Sequence, residues 1–343
     1  MNKLLKNSVL ALITIVFVFF GILKLYPEKL SHFLLEKIID DNINRPNLKE
    51  NKTQIVVYTI GTGSPANAER ANSGTAVFVN GKFFIFDVGD GVVKKSENMN
   101  LPIQDLDGIF ITHYHSDHFI DLPYLINRSW VMGRNHDLNV YGPEGLDEIM
   151  QSSIPFLKLE NKNRVDHHGA EVMNTNYAFG ISNEFQDEPK QIIYNQDGVV
   201  ITAFNVDHKP IKPAVGYSIE YNEKKVVISG DTKKSEMVLE ISKNADLLIH
   251  EVILSSLLKT TVDILDQKSM TRNSKIITDI QNYHTTPKEV IELANKANVK
   301  KLILTHLVPN PDNLIIKNLY KKEIKGFNGK VYLANDGDKF IIK

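Results

Sequence analysis

Three histidines and an aspartate lie within six positions of the chain, in the segment ITHYHSDHFIDL. They are His113, His115, Asp117 and His118, and the whole chain has only 11 histidines in 343 residues. Imidazole and carboxylate groups are ligands of divalent metal ions, so this spacing predicts a metal site. The chain contains no cysteine, which excludes disulfides, thiolate metal sites and cysteine nucleophiles. Any metal ion must therefore be held by histidine and carboxylate.

The four residues follow an apolar run, GIFIT, that is typical of a buried strand. His113 stands at the end of this run. His115 points the same way in an extended chain, because side chains alternate with a period of two. Asp117 and His118 come after a turn. The segment can therefore serve two neighbouring metal ions, with His113 and His115 at the first and Asp117 and His118 at the second.

Further ligands are expected at the ends of three later strands. His208 ends ITAFNVDH, Asp231 ends KVVISGD and His306 ends KLILTH. Taken singly, each has a structural alternative, a capping aspartate or a hydrogen-bonded histidine at a strand end. Together they supply the ligands that two histidines lack and a carboxylate able to bridge two metals.

Strand and helix patterns alternate along the chain and predict an α/β fold. A hairpin is expected at Asn80-Gly81, between the apolar runs GTAVFV and KFFIF. Residues 151–197 are rich in Asn, Gln and Lys and favour an irregular surface excursion or lid. Two strand-rich halves, each with helices, indicate two sheets packed together with helices outside.

The amino terminus predicts a membrane anchor. Residues 7–23 (NSVLALITIVFVFFGIL) carry no charge and follow Lys3 and Lys6. As a helix they span roughly 25 Å, just short of a hydrocarbon core of ~30 Å. The two lysines place the preceding end in the cytoplasm and the body outside it, periplasmic or extracellular. A cleaved signal peptide is the alternative, although no small-residue cleavage site follows the apolar run.

Three parts are therefore expected: a membrane anchor or signal segment over 1–26, a linker with an amphipathic helix over 27–52, and a main globular domain over 53–343. Residues 1–26 contain three lysines and no acid, whereas the whole chain has a net charge of −1. The remainder is consequently mildly acidic. Such a composition provides no basic footprint for nucleic acid, although a local patch can still form in the fold.

The order of HYHSDH, VDHKPIKPAVGYSIEY, ISGDT and LTH resembles the metallo-β-lactamase superfamily. The segments GTGSP, LLIHEV and YHTTPKEV, together with Gly216-Tyr217, are similar to its ribonuclease Z-like branch. The resemblance covers roughly residues 53–343. It implies a four-layer αββα sandwich, preceded here by the predicted N-terminal transmembrane helix, with a two-metal site at the sheet edges.

Carried over by residue, the resemblance implies two metal ions sharing one carboxylate. The first would be held by His113, His115 and His208, the second by Asp117, His118 and His306, and Asp231 would bridge both. Zinc is the usual metal of the family, with manganese or iron as alternatives, and ligands without sulfur suit all three.

The same resemblance implies a hydrolase in which the two metals produce a bridging hydroxide as nucleophile. Asp117 would both bind metal and orient this hydroxide. His284, in NYHTTP, would stabilise the transition state or supply a proton to the leaving group with the help of Glu251, in IHEV. The structural alternatives are a surface histidine at a helix start and an ion-paired acid.

Departures from the family pattern bear on the substrate. LTH is followed by LVPNPDN, without the serine and arginine of tRNA-processing members, and the long Gly/Pro-rich arm has no counterpart. These features favour a small-molecule ester, a phosphodiester or an aryl sulfate, and disfavour nucleic acid. A tRNA 3′-end-processing endoribonuclease and a catalytically inert metal-binding module remain the alternatives. Assembly as a homodimer is left open.

Overall fold

In the computed structural model, the structure describes residues 16, 19–21, 23–43, 48–50, 52–65 and 69–343. The chain divides into two compact units, Met1–Leu48 and Lys49–Lys343. The first unit contains helix α1 (Pro27–Ile43), whose side chains are largely exposed over residues 27–40. The second unit contains every strand and all the predicted site residues.

No helix within the described ranges combines the length and the apolar character needed to cross a membrane. The predicted anchor, residues 7–23, lies for the most part outside those ranges. The predicted transmembrane helix therefore has no support from the described part of the chain.

The second unit alternates short strands with helices. The strands are β1 (Ile55–Gly61), β2 (Gly74–Val79), β3 (Lys82–Phe86), β4 (Gly108–Phe110), β5 (Asn139–Pro143), β6 (Ile181–Phe185), β7 (Lys190–Gln196), β8 (Val199–Asn205), β9 (Val215–Tyr221), β10 (Lys224–Ile228), β11 (Leu247–Ile253), β12 (Lys301–Val308), β13 (Lys330–Leu333) and β14 (Lys339–Ile342). The helices are α2 (Val92–Asn98), α3 (Ser116–Phe119), α4 (Leu122–Val131), α5 (Leu146–His168), α6 (Glu236–Ile241), α7 (Ser255–Gln267), α8 (Thr271–Ile280), α9 (Pro287–Lys296) and α10 (Leu314–Glu323).

Two seven-stranded mixed sheets are built in the same way. The first has the order β14-β1-β2-β3-β4-β5-β6 and the second β13-β12-β11-β10-β9-β8-β7. In each sheet, antiparallel neighbours lead into parallel ones: β3 to β6 in the first and β10 to β13 in the second. Parallel strands present their carboxyl ends at one edge, where loops carry functional groups on a rigid base.

The core lies between the sheets. Val57, Phe84 and Phe110 of the first sheet belong to one buried cluster with Tyr217 and Ile249 of the second. On the outer face of the second sheet, a separate buried cluster packs strands against α6, α9 and α10. Helices α2 and α5 pack on the first sheet. The layers are therefore helix, sheet, sheet, helix, which confirms the predicted αββα sandwich.

The predicted hairpin at Asn80-Gly81 is confirmed. β2 and β3 are antiparallel and joined by these two residues, with Val79 opposite Lys82. Asn80 has φ +45° and Gly81 has φ +76°. Both values lie in the left-handed region that two-residue hairpin turns of this kind require, and asparagine and glycine tolerate that region best.

The prediction of an irregular excursion over 151–197 is wrong for most of that range, which contains most of α5 and all of β6 and β7. Helix α5 continues to His168 and contains Pro155. Its buried positions follow a helical spacing, but they include the polar side chains of Ser153 and Asn161. Asn161 is satisfied by a hydrogen bond of 2.8 Å from Asn127 Nδ2 to its Oδ1. Polar residues on the buried face hid the helical period from an apolar pattern.

We expect Phe110→Ala to lower the free energy of unfolding by about 3–5 kcal/mol, the usual cost of a core phenylalanine. Phe110 is buried, and its ring centroid lies 4.7 Å from that of Tyr141 and 4.8 Å from that of Phe86. Chemical denaturation followed by circular dichroism measures the change. Phe156→Ala is the control, because that side chain is 75% exposed and its loss should cost less than about 0.5 kcal/mol. Equal losses in the two variants would contradict the assigned core.

Candidate metal centre

The predicted ligands lie at one edge of the two sheets, on loops, on the short helix α3 and in β12. Three of them stand three residues beyond the end of a strand: His113 after β4, His208 after β8 and Asp231 after β10. The strands therefore end earlier than the apolar runs predict, although the edge is the one expected. The two sheets are tied together here, since Val215 N donates to Thr112 O at 3.0 Å.

His306 is placed differently from the prediction that it ends a strand. It lies inside β12, which continues to Val308. Glu251 pairs with Thr305 and Val252 with Leu307, so His306 is the extra residue of a β-bulge between β11 and β12. Its φ is +45°. A bulge bends a strand locally and redirects a side chain, and here it presents the imidazole to the site.

A first cluster joins His113, His115, His208 and Asp231, with one possible ligand atom of each within 4.8 Å of the others. His113 Nε2 lies 3.0 Å from His115 Nδ1, and His208 Nε2 lies 3.3 Å from the same atom. The Oδ2 atom of Asp231 is 3.9 Å from His113 Nε2. This is the set of residues predicted for the first metal.

A second cluster joins Asp117, His118 and His306. His306 Nε2 is 3.0 Å from Asp117 Oδ2, and His118 Nε2 is 3.5 Å from that oxygen. Asp231 Oδ2 lies 3.3 Å from His118 Nε2 and 3.5 Å from His306 Nε2. Asp231 therefore contacts both clusters, where a bridging carboxylate would stand.

The donor set fits divalent metal ions. Ring nitrogens that approach each other at 3.0–3.3 Å have the spacing of two ligands on one tetrahedral zinc, roughly 3.3 Å for bonds of about 2.0–2.1 Å. His113, His118, His208 and His306 are buried. Unpartnered lone pairs are costly in such surroundings, and a cation between them would satisfy several at once. Imidazole and carboxylate suit zinc, manganese and iron alike.

The two clusters differ in their charge. Burial, followed by the charge of His118, holds the pKa of His113 well below its ordinary value. Burial likewise lowers the pKa of His208 to about 4. Burial would also lower the pKa of His306, but Asp231 and a hydrogen bond to Asp117 raise it to about 9. These pKa directions favour neutral imidazoles in the first cluster and a protonated His306 beside Asp117 in the second. A metal ion that binds the second cluster must therefore displace the imidazole proton.

Asp87 and Thr112 connect the two clusters from behind and were missed in the sequence. His118 Nδ1 donates to Asp87 Oδ2 at 2.8 Å, and Thr112 N donates to Asp87 Oδ1 at 2.8 Å. Thr112 Oγ1 donates to Asp87 Oδ2 at 2.9 Å and lies 3.0 Å from His113 Nδ1. These contacts leave Nε2 of both histidines facing the site, as such outer partners commonly do. The available signal was an aspartate directly after KFFIF and a threonine directly before His113.

The predicted pair His284 and Glu251 lies beside the clusters. His284 Nδ1 is 3.2 Å from Glu251 Oε2 and 4.0 Å from Asp231 Oδ2. Glu251 Oε1 accepts from Thr285 N at 2.8 Å. Burial and then the charge of Asp231 hold the pKa of Glu251 well above its ordinary value, and burial lowers that of His284 to about 4. His284 Nδ1 and Glu251 Oε2 are therefore buried neighbours, and neither atom makes a hydrogen bond in the described part of the structure.

Comparison with known proteins agrees with this geometry. The Beta-lactamase superfamily domain matches residues 84–307. The chain is 30% identical over 284 residues to the ribonuclease Z of Mycobacterium bovis, which covers 82% of this chain and 95% of that protein. It is 31% identical over 259 residues to the ribonuclease Z of Mycolicibacterium paratuberculosis, covering 74% of this chain and 86% of that protein.

Solved structures share the fold. Human tRNase Z, short form, superposes with a TM-score of 0.60 at 22% identity and covers 84% of this chain and 99% of its own. The metallo-beta-lactamase fold protein YhfI of Bacillus subtilis gives the same TM-score, identity and coverage.

The prediction of a single-pass membrane protein with an extracytoplasmic catalytic domain is wrong. It is contradicted by the relatives, which are ribonucleases Z that match 82% of this chain. The apolar run that suggested it, residues 7–23, spans roughly 25 Å as a helix and is shorter than a hydrocarbon core of ~30 Å. A short uncharged run is therefore insufficient to assign a membrane side to the catalytic domain.

We expect Asp87→Asn to weaken zinc binding by about 10- to 100-fold, because it replaces the carboxylate that orients His118 and, through Thr112, His113. Competition with a fluorescent zinc chelator measures the affinity, and circular dichroism checks the fold. Asp90→Asn is the matched control, since Asp90 lies in the same loop with an exposed side chain. Unchanged zinc affinity in Asp87→Asn would contradict the orienting role.

Proposed function

Since this chain belongs to the metallo-β-lactamase superfamily and to its ribonuclease Z-like branch, we propose that it is a metal-dependent phosphodiesterase that cleaves RNA as a ribonuclease Z does. The observation that carries the proposal is the extent of the similarity. Ribonuclease Z of Mycobacterium bovis is matched over 95% of its length, so the shared part is nearly that whole enzyme. The clustered histidines and aspartates supply the corresponding chemistry.

In this proposal seven side chains would hold two metal ions, with zinc as the first candidate. His113, His115 and His208 would hold one, Asp117, His118 and His306 would hold the other, and Asp231 would serve both. When bound, the pair supplies Lewis acidity that stabilises negative charge on a phosphate and makes water a stronger nucleophile. The chain contributes a rigid arrangement, because Asp87, Thr112 and the carbonyl of Tyr283 fix the rings from behind.

The chain's own residues complete the reaction. Asp117 orients the attacking water with its carboxylate. Its Oδ2 is held 3.0 Å from His306 Nε2. His284 faces Glu251 with Nδ1 at 3.2 Å, which leaves Nε2 to deliver a proton to the departing oxygen. As Nε2 gives up its proton, the carboxyl group of Glu251 passes a proton to Nδ1, so the imidazole stays neutral and Glu251 becomes a carboxylate. Its Oε1 is held by the backbone N–H of Thr285, so the carboxylate keeps its position while the proton moves.

The relatives change the preferred substrate. The sequence favours a small phosphodiester or aryl sulfate and disfavours nucleic acid, because the chain is not basic and lacks the arm. Relatives named as ribonucleases Z support the RNA alternative better than the small ester. RNA and a small phosphodiester present the same phosphodiester group to the site, so the choice between these two rests on surfaces outside the cluster, whereas an aryl sulfate differs in the reacting group itself.

We expect His284→Ala to keep both metal ions and to lower kcat by about 10²- to 10⁴-fold, the usual contribution of a positioned proton donor. Inductively coupled plasma mass spectrometry counts the metal, and steady-state kinetics on an aryl phosphodiester gives kcat. His167→Ala is the control, since His167 is exposed at the end of α5. A parent-like kcat in His284→Ala would exclude the proton-transfer role.

The substrate is tested with the full-length protein on three compounds: a precursor tRNA with a 3′ trailer, bis-p-nitrophenyl phosphate and an aryl sulfate. We expect specific removal of the trailer, slower hydrolysis of the aryl phosphodiester, and loss of both after EDTA treatment with recovery on adding Zn²⁺. Mass spectrometry of the RNA products locates the cut. Efficient sulfate hydrolysis without trailer removal would replace the RNA proposal by the small-ester one. Two bound metals with no hydrolysis at all would indicate the inert module.

A further inference from the structure

Two loops that carry site residues continue directly into lysines. Lys209 and Lys212 follow His208, and Lys233 follows Asp231. The three side chains are exposed. The loops are hydrogen-bonded to each other, with Lys233 N donating to Asp207 O at 2.9 Å and Asp207 N donating to Thr232 Oγ1 at 3.1 Å. The lysines therefore stand on one connected rim of the metal centre, called the rim lysines below.

A cavity of about 280 Å³ lies under this rim. It is lined by Lys209 and Lys212 and by the polar side chains of Asn205 and Asp207, which precede His208 in sequence. The Oδ1 atoms of Asn205 and Asp207 are buried without a hydrogen bond. The cavity is of mixed character, because Val206, Pro213 and Ala214 line it beside the charged side chains. Lys209 and Lys212 give it cations that can contact a charged chain.

Two of the rim lysines, Lys212 and Lys233, differ from Lys209 and from the neighbouring Lys234 in having no ion-pair partner among the described residues. Lys234 Nζ forms an ion pair with Glu292 at 2.9 Å, and Lys209 Nζ lies 3.8 Å from Asp207 Oδ1. Among the residues described in the structure, no carboxylate lies within 4.0 Å of Nζ of Lys212 or Lys233. Asp187 also borders the cavity, but Asn205 Nδ2 donates to it at 2.6 Å. Lys212 and Lys233 are consequently the two cations available to an incoming anion.

We propose that Lys212 and Lys233 bind backbone phosphates of the RNA next to the one being hydrolysed, and that Lys209 adds to the same field. The proposal rests on the RNA-cleaving function proposed above and names how the substrate strand is held. Lys233 is two residues from Asp231, at most ~8 Å of backbone, so a phosphate bound there neighbours the reacting one. Lysine binds phosphate as a point charge, and such contacts position a strand without reading its sequence.

This rim accounts for RNA binding by a chain of net charge −1. Overall charge governs long-range attraction, whereas a local cluster of free cations is sufficient to hold two or three phosphates. The rim also lies on the loops that supply His208 and Asp231. A strand held there is therefore aligned with the metal centre without a separate domain.

The test compares Lys212→Gln/Lys233→Gln with the full-length parent. RNA bearing a 3′ trailer and a 5′ fluorescein is titrated in EDTA, which prevents cleavage, and fluorescence anisotropy gives Kd from 50 to 200 mM KCl. Each phosphate contact on a single strand contributes ~0.7 to the slope of log K against log salt. We expect the double variant to lose about 1.4 in this slope and on the order of tenfold in affinity at 0.1 M salt.

Two further variants separate charge from structure. Lys212→Arg/Lys233→Arg keeps both charges and should keep the parental slope. Lys234→Gln removes a lysine of the same loop that is already paired with Glu292, and its slope and affinity should equal those of the parent. With Zn²⁺ restored, the ratio of kcat/KM for RNA to that for bis-p-nitrophenyl phosphate should fall by on the order of tenfold in the double glutamine variant only.

The outcomes distinguish this proposal from the function on which it rests. A parental salt slope in the glutamine variant, with normal RNA cleavage, overturns the rim-lysine proposal alone. RNA that binds through the rim lysines but is never cut overturns the ribonuclease function alone. A parent protein that does not bind RNA overturns both. An equal loss in Lys234→Gln also overturns the proposal, because it would indicate general charge loss and not these two contacts.

Discussion

The carboxylate of Asp231 is the group on which the arrangement of the whole site depends. Its Oδ2 atom is buried and lies within 3.3–4.0 Å of ring nitrogens from His118, His306, His113 and His284. A buried carboxylate is costly unless cationic or metal partners surround it. Those partners come from both sheets, so the loops of the two sheets must meet at this point. Three features bring the partners to Asp231. The hydrogen bond from Val215 N to Thr112 O joins the sheets, the bulge in β12 presents His306, and Asp87 orients His118.

Much of this arrangement could be predicted because it depends on local sequence signals. Neighbours in the sequence determine the apolar runs of the strands, the Asn80-Gly81 turn and the cluster HYHSDH. The later ligands could be predicted because each follows an apolar run, and parallel strands bring such positions to one edge. The two sheets, their outer helices and the gathering of the seven side chains in space follow from these signals together.

The remainder depends on contacts between distant parts of the chain. Asp87 is an ordinary loop aspartate until His118, 31 residues later, donates to it. Helix α5 was not predicted because its buried face includes the polar residue Asn161, which breaks the apolar pattern. The hydrogen bond from Asn127, far away in sequence, satisfies this buried side chain. Lys212 and Lys233 are similarly unremarkable in a composition of balanced charge. Among the described residues no carboxylate lies within 4.0 Å of their Nζ atoms, and this is a property of the folded surface. The prediction of an extracytoplasmic catalytic domain was wrong for another reason. A short apolar run shows only that a segment is hydrophobic and does not determine where the catalytic domain is located.

The bulge at His306 has a consequence for the strand that contains it. Leu302, Leu304 and Leu307 all belong to the buried cluster beneath the outer helices. Residues 304 and 307 would face opposite sides of a regular strand, since alternate side chains share a face. The additional residue shifts the phase of β12 by one, and apolar packing resumes correctly beyond it. The change in side-chain alternation is thus confined to one position, which His306 occupies. The apolar packing of Leu304 before it and Leu307 after it fixes the strand on either side of the bulge. This packing holds the imidazole in an orientation that a regular strand could not give it.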